Sequence, residues 1–128
     1  MCQGLDREQV DRFILDEIDS VPQLEALLLI WNNRPKKWSS EDMAKALYDK
    51  ADVTQGILRS LAQRGLIREA PGEEPRYTAI ADSPETEAML EAVDDIYKRE
   101  IVRISTMIHS KASRAVRDFA RAFRFTKE

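Results

Sequence analysis

The stretch LRSLAQRGLIRE, residues 58–69, restricts the possible folds more than any other part of the sequence. Leu58 and Leu61 recur at helical spacing, which indicates an amphipathic helix. Gly65 is the expected end of that helix, because glycine takes a left-handed turn most readily. The dipeptide Leu66–Ile67 follows at once and indicates a short buried strand. The sequence therefore predicts a helix whose end leads directly into β-structure that packs back onto it.

The rest of this β-structure lies in REAPGEEPRYTAI, residues 68–80. A loop that contains Pro71 and Gly72 separates two short strands, and Tyr77 and Ile80 of the second strand are expected to face the core. These residues predict a β-hairpin with an acidic tip.

Three more helices are predicted ahead of this unit. The first lies in LDREQVDRFILDEID, the second begins at Ser20 and is apolar nearly all round, and the third opens with the capping-box pair Ser39 and Asp42. The predicted fold class is mainly α with a small β-hairpin. Its predicted parts are an N-terminal helix for dimerisation or packing in residues 1–20, a three-helix domain closed by the hairpin in residues 21–82, and a C-terminal helical extension in residues 83–128.

The extension begins with Ser83 and Pro84 and contains no glycine or further proline up to about Lys111. At ~1.5 Å per residue this predicts one continuous helix of roughly 40 Å. Its apolar side is too large for the small domain alone, so we expect it to pack on the N-terminal helix, on a second copy of the chain, or on both. The residues predicted to form a homodimer interface are Leu90, Val93, Tyr97, Ile101, Ile104, Ile108, Phe119 and Phe123.

The final segment, ASRAVRDFARAFRF, predicts a short basic amphipathic helix. Its arginines fall on one side of a helical wheel and are Arg114, Arg117, Arg121 and Arg124. This side can be a solvated surface, a surface for phosphate or an acidic partner, or a surface for anionic lipid. No membrane partner is predicted for the chain as a whole.

The charge is divided unevenly along the chain, whose formal net charge is −3. Residues 1–97 carry 11 Lys and Arg against 20 Asp and Glu, whereas residues 98–128 carry 9 against 3. An acidic body with a basic end bears on the partners of the protein and not on its fold.

Several classes of protein are excluded by composition and motifs. No apolar run is long enough to cross a bilayer, no apolar leader opens the chain, and a single cysteine excludes an internal disulfide, so we expect a cytoplasmic protein. One histidine without clustered ligands predicts no metal site, and we expect no cofactor. Phosphate-loop, zinc-protease and nucleophile-elbow motifs are absent, so the chain is not expected to be an enzyme.

Residues 24–80 resemble the winged helix-turn-helix of bacterial transcription regulators such as the MarR and PadR families. The resemblance lies in SSEDMAKALY, in ILRSLAQRGLIRE and in PRYTAI, with Leu61, Gly65, Leu66–Ile67 and Tyr77 at matching places. It implies that the third helix of this domain enters the major groove of double-stranded DNA and that the hairpin, the wing, reaches the backbone or the minor groove.

Carried over by position, this resemblance implies a set of DNA-contacting residues. Gln55 suits an adenine edge, Arg59 suits guanine or a phosphate, and Ser39 with Ser40 could hold a phosphate at a helix start. The full implied set is Ser39, Ser40, Lys50, Thr54, Gln55, Arg59, Arg68 and Arg76.

A second hypothesis belongs to a different class of protein. The segment predicted to read DNA carries Asp49 and Asp52, and the hairpin carries Glu69, Glu73 and Glu74, all of which repel phosphate. A winged helix of this charge can instead be a protein–protein interaction module, a regulatory adaptor that does not bind DNA. The sequence leaves both open: a dimeric DNA-binding transcription regulator and a protein-docking scaffold.

Overall fold

The computed structural model describes residues 6–80, 83–111 and 114 of the 128-residue chain. The helices are α1 (Arg7–Glu17), α2 (Val21–Asn32), α3 (Ser40–Leu47), α4 (Ala51–Gln63), α5 (Pro84–Arg99) and α6 (residues 101–111). The strands β1 (Ile67–Ala70) and β2 (Arg76–Ala79) form an antiparallel hairpin. The predicted fold class, mainly α with a small β-hairpin, is confirmed.

The helices begin where the sequence signals place their caps. The Ser20 side chain accepts a hydrogen bond from the Gln23 amide at 3.3 Å, and Ser83 accepts one from the Thr86 amide at 3.1 Å. Each satisfies a backbone donor that has no partner within its own helix, and proline follows early in both helices, where no donor is lost.

Gly65 ends α4 as predicted. Its φ of +76° is left-handed, and the turn is closed by two backbone hydrogen bonds at 3.0 Å, from Gly65 N–H to the Ala62 carbonyl and from Leu66 N–H to the Leu61 carbonyl. This is a Schellman arrangement, and it usually brings an apolar contact between the residues joined by its outer bond. Leu61 and Leu66 are both buried here. The chain then enters β1 at once because the turn has already redirected it onto the core.

Two glycines of this region provide a matched test of the turn. Within the part of the chain that the structure describes, a Cβ atom would meet nothing within 4 Å at Gly56 or at Gly65, but of these two only Gly65 has a left-handed φ. We expect Gly65→Ala to lower the free energy of unfolding by about 1–2 kcal/mol and Gly56→Ala, inside α4, to raise it by about 0.5–1 kcal/mol. Urea unfolding followed by circular dichroism measures both. Equal signs for the two variants would contradict the assigned turn.

A third extended segment, at Trp38, pairs with the hairpin, and the sequence did not predict this pairing. Ile67 pairs with Ala79 and Ala70 with Arg76, and Trp38 forms an additional antiparallel bridge to Tyr77 through two backbone hydrogen bonds of 2.8 Å. Trp38 and Tyr77 are both buried. The connector between α2 and α3 therefore fixes the hairpin against the helices.

The prediction of one continuous C-terminal helix is wrong, because the helix is interrupted at Glu100, between α5 and α6. Glu100 has φ −132° and ψ 48°, outside the helical region, and its carboxylate pairs with Arg7 of α1 and with Arg103 Nε at 2.6 Å. Arg103 also pairs with Asp11 of α1 at 2.8 Å. The hydrogen bond from Arg103 lowers the pKa of Glu100, and the positive charges of Arg103 and Arg7 lower it further. The break lets α6 pack against α1 of the same chain.

Most of the residues predicted to form the dimer interface are instead packed inside the single chain. The residues buried inside the single chain are Leu90, Val93, Tyr97, Ile104 and Ile108. They join one core cluster with apolar residues of α1, α2 and α4, so they have little surface left for a second copy. Ile101 remains 50% exposed. Phe119 and Phe123 lie outside the described residues, as do most of the predicted arginine stripe.

Two cations from distant parts of the chain bind the C-terminal end of α1. Arg64, at the end of α4, donates to the Glu17 carbonyl at 2.9 Å and to the Asp19 carboxylate at 2.7 Å. Lys111 of α6 donates to the Ile18 carbonyl at 3.0 Å and to Asp19 at 3.3 Å. The last turn of α1 has no basic residue of its own. The negative end of its dipole is therefore stabilised by α4 and α6.

Candidate nucleic-acid interface

Helix α4 has one side in the core and one side open. Leu58 and Leu61 are fully buried, whereas Arg59 is exposed and Gln55 is half-buried. Gly56 lies on the open side with free space where a side chain would be. Among residues 6–80 and 83–111, neither a bulky side chain nor another element covers this position, so the backbone of α4 can approach a partner closely there.

Thr54 does not lie on the open side, which corrects its predicted role in DNA contact. It is fully buried, and its hydroxyl donates a 2.8 Å hydrogen bond to the Lys50 carbonyl. Thr54 lies four residues before Leu58, on the same side of the helix, and its hydroxyl is hydrogen-bonded within the first turn of α4.

The serines at the start of α3 are half-buried, and Ser39 is engaged within the helix. Its hydroxyl accepts from the Asp42 amide at 3.1 Å, and its own amide donates to the Asp42 carboxylate at 3.3 Å. This second hydrogen bond lowers the pKa of Asp42 below its usual range. The predicted capping box is confirmed, and it places a fixed negative charge at the site suggested for phosphate. The phosphate role of Ser39 and Ser40 stays a prediction.

The hairpin contributes two exposed arginines, Arg68 on β1 and Arg76 on β2. Arg76 Nη1 lies 3.8 Å from the Asp42 carboxylate, so its charge is partly balanced. Arg68 shares an open groove with Gln55 and Arg59, between α4 and the hairpin. The structure thus brings these three predicted residues together around one groove.

Tyr77 forms the floor of this groove and holds the hairpin in place. Burial raises the pKa of its phenol, with a further increase from the neighbouring charge of Glu69 and an opposing effect from Arg59. The ring is therefore neutral near pH 7, and it acts as a packing residue between α4 and β2.

The charge around the groove is mixed. Among the residues that the structure describes, none forms an ion pair within 4.0 Å with Lys50, Arg59 or Arg68. The exposed acids nearby are Asp49, Asp52, Glu69, Glu73 and Glu74. A surface of this kind offers a few cations beside carboxylates that repel a polyanion. Its attraction for a polyanion is therefore modest and depends on where the phosphates lie relative to these charges.

Sequence reasoning missed two exposed apolar side chains next to Lys50. Tyr48, between α3 and α4, is 96% exposed and has a left-handed φ of 56°, and Val53 in the first turn of α4 is 47% exposed. Helical periodicity could have placed Val53 on the open side of α4. No local signal predicts a left-handed tyrosine, because this conformation favours glycine or asparagine.

The part of the chain that the structure describes offers no cluster of His, Cys, Asp and Glu suited to a metal ion. None of its helices combines the length and the apolar character that spanning a membrane requires.

Comparison with solved structures identifies the fold. MepR, a transcription regulator of the multidrug efflux pump MepA of Staphylococcus aureus, superposes with a TM-score of 0.55 at 13% identity over 94% of this chain and 89% of MepR. The chain has the MarR-type winged-helix fold. A MarR family protein from Bacillus stearothermophilus matches with a TM-score of 0.53 at 15% identity, over 94% of this chain and 81% of that one.

MepR in complex with DNA also matches, with a TM-score of 0.54 at 15% identity over 88% of this chain and 90% of that one. No protein-family model matches the sequence, and a search of curated proteins finds no match. The expected resemblance to MarR-type regulators is confirmed for the fold. It extends beyond the winged helix, because the matched length includes α1, α5 and α6.

Proposed function

We propose that this chain is a DNA-binding transcription regulator that acts in the cytoplasm and binds duplex DNA as a homodimer through α4 and the hairpin. The observation that carries the proposal is the groove between α4 and the hairpin, where Gln55, Arg59 and Arg68 lie together on an open surface. A protein of the same MarR-type fold has been solved in complex with DNA, which supports this use of the surface.

In this arrangement α4 lies in the major groove with its open side toward the base edges. Gln55 can pair with adenine through two hydrogen bonds, and Arg59 can pair with guanine or bind a phosphate. Gly56, between them on the open side, allows the helix backbone to come close to the DNA. Arg68 and Arg76 bind phosphates beside the groove and set the position of the hairpin.

Dimerisation would use surface that the single chain leaves open. Ile101 is 50% exposed and Val102 is 75% exposed at the start of α6, and these two adjacent apolar side chains are available to pack against a second copy. A symmetric dimer through this end would place two copies of α4 on one side, about 34 Å apart on a pseudo-palindromic site.

A titration of DNA affinity against salt tests the proposal. A mixed-sequence duplex of about 30 base pairs is long enough for two half-sites. The cations that can reach phosphate in each copy are Lys50, Arg59, Arg68 and Arg76. If both copies use all of them, log K falls with log[salt] with a slope of about −7, and fewer contacts give a proportionally smaller slope. Fluorescence anisotropy of a labelled duplex gives the affinity at each salt concentration.

No binding at low ionic strength would contradict the proposal and favour the protein–protein interaction module instead. The observation that supports this second function is the hairpin itself, where Glu69, Glu73 and Glu74 are all exposed. A partner for that surface would be a basic protein. The same titration therefore distinguishes the two functions.

A further inference from the structure

Tyr48 occupies a backbone conformation that its side chain makes unfavourable. It follows the last residue of α3 with φ 56° and ψ 46°, in the left-handed region. Among residues other than glycine, asparagine and aspartate tolerate this region best, whereas a bulky ring crowds the backbone. A chain selected only for folding would have glycine or asparagine at this place.

Among the described residues, no contact of the Tyr48 ring offsets this strain. The ring is 96% exposed, so it buries almost nothing. The bonds that close the end of α3 run to the Ala44 carbonyl from the backbone amides of Tyr48 and Asp49, which any residue type would supply. Strain that folding does not require is a reason to look for a binding role.

The position of Tyr48 identifies its surroundings in the proposed complex. It lies just before Lys50, which is exposed and immediately precedes α4, and Val53 is half-exposed in the first turn of that helix. The N-terminal end of a reading helix is the end that enters the major groove. A side chain at this end therefore faces the sugar–phosphate wall of the groove.

We propose that Tyr48 extends the DNA-contacting surface by packing its ring on a deoxyribose and donating its hydroxyl hydrogen to a phosphate oxygen. The inference rests on the proposed function and names one more residue of the same surface. The neighbouring Lys50 supplies the positive charge, and Asp49 is turned back onto the chain, because its carboxylate accepts the Lys50 amide at 2.8 Å. Tyrosine is well suited to this role because its ring is apolar and its tip is polar.

Replacement by asparagine separates folding from binding, because the two readouts change in opposite directions. We expect Tyr48→Asn to raise Tm by about 2–6 °C, through relief of the left-handed strain. We also expect it to weaken binding to the mixed-sequence duplex by about 5–10-fold. Tyr48→Phe keeps the strain and the ring, so Tm is unchanged and only the phosphate contact is lost, about 2–5-fold in affinity.

Arg59→Ala, measured in parallel, keeps this inference separate from the proposed function. If Arg59→Ala weakens binding and Tyr48→Asn does not, the regulator proposal survives and the role of Tyr48 is overturned. In that case the ring belongs to the apolar groove that it borders between α2, α3 and α5, beside Leu29 and Leu47. A lower Tm for Tyr48→Asn would show that the ring supports the fold, which also overturns the inference. A wild-type protein that binds no duplex would overturn both proposals.

Discussion

Replacement of Ile104 by alanine is expected to lower the free energy of unfolding by about 2–5 kcal/mol. Ile104 lies in α6, is fully buried, and belongs to the same core cluster as Ile14 and Ile18 of the α1 segment. Alanine at this site removes apolar contacts and leaves a cavity that the surrounding helices can fill only in part. The midpoint and slope of urea unfolding, followed by circular dichroism, give the change.

Val102→Ala is the matched control for Ile104→Ala, since it lies nearby on the same helix but is 75% exposed. At low protein concentration, where subunit association does not contribute, the control should change the unfolding free energy by less than about 0.5 kcal/mol. Equal effects of the two substitutions would mean that α6 does not pack on its own chain, and would return Ile104 to the dimer interface that the sequence predicted.

Replacement of Arg59 by alanine is expected to weaken duplex binding by about 1–3 kcal/mol, roughly 5–150-fold. If Arg59 binds a phosphate, the salt slope also falls by about one; if it reads a base edge, the loss depends on the DNA sequence instead. Arg59 is exposed and, within the described residues, has no ion-pair partner closer than 4.0 Å. The unfolding free energy should therefore change by less than about 0.5 kcal/mol.

Arg64→Ala provides the control for Arg59→Ala, because Arg64 follows the end of the same helix but is bound to the end of α1. Its loss removes hydrogen bonds to the Glu17 carbonyl and to Asp19, and should cost roughly 1–2 kcal/mol of stability. DNA affinity should change little at a temperature where the variant is folded. If Arg64→Ala weakens binding as much as Arg59→Ala does, the reading surface is misassigned.

The sequence predicts the parts of this fold that local chemistry determines. Ser20, Ser39 and Ser83 begin helices because their oxygens accept backbone hydrogen bonds, and Gly65 ends one because it can adopt a positive φ. Each signal acts within a few residues, so it can be recognised without knowledge of the tertiary structure. The order of helices and hairpin follows from these boundaries, and with it the resemblance to a winged helix.

The break at Glu100 could not be predicted in this way. No glycine or proline marks it, and the helix-forming tendency of the segment is continuous. The residues that hold the break, Arg7, Asp11 and Arg103, lie on two elements far apart in sequence. Prediction of the break requires knowledge that α1 and α6 meet, which is a result of folding and not a property of either segment.

The residues of the candidate site were predictable in part, and the one incorrect assignment, Thr54, has a specific origin. Arg59 was placed correctly on the open side of α4, because it falls between the buried Leu58 and Leu61, and Gln55 lies half-buried at the edge of that side. Thr54 was chosen for its chemical suitability to DNA, although its spacing from Leu58 and Leu61 already put it on the buried side. Helical geometry decides exposure before residue type can decide function.

The shared anchor at the end of α1 bears on how far this protein can be dissected. Arg64 belongs to the winged helix and Lys111 to the extension. Both nevertheless donate hydrogen bonds to backbone carbonyls at the end of α1 and to the Asp19 carboxylate. A fragment cut out as residues 21–82 would lose the α1 carbonyls that hold Arg64 and would expose to water the apolar surfaces that α5 now covers. Segments that are separate along the chain are thus one cooperative unit in folding, and recombining this winged helix with a foreign dimerisation segment would require rebuilding that junction.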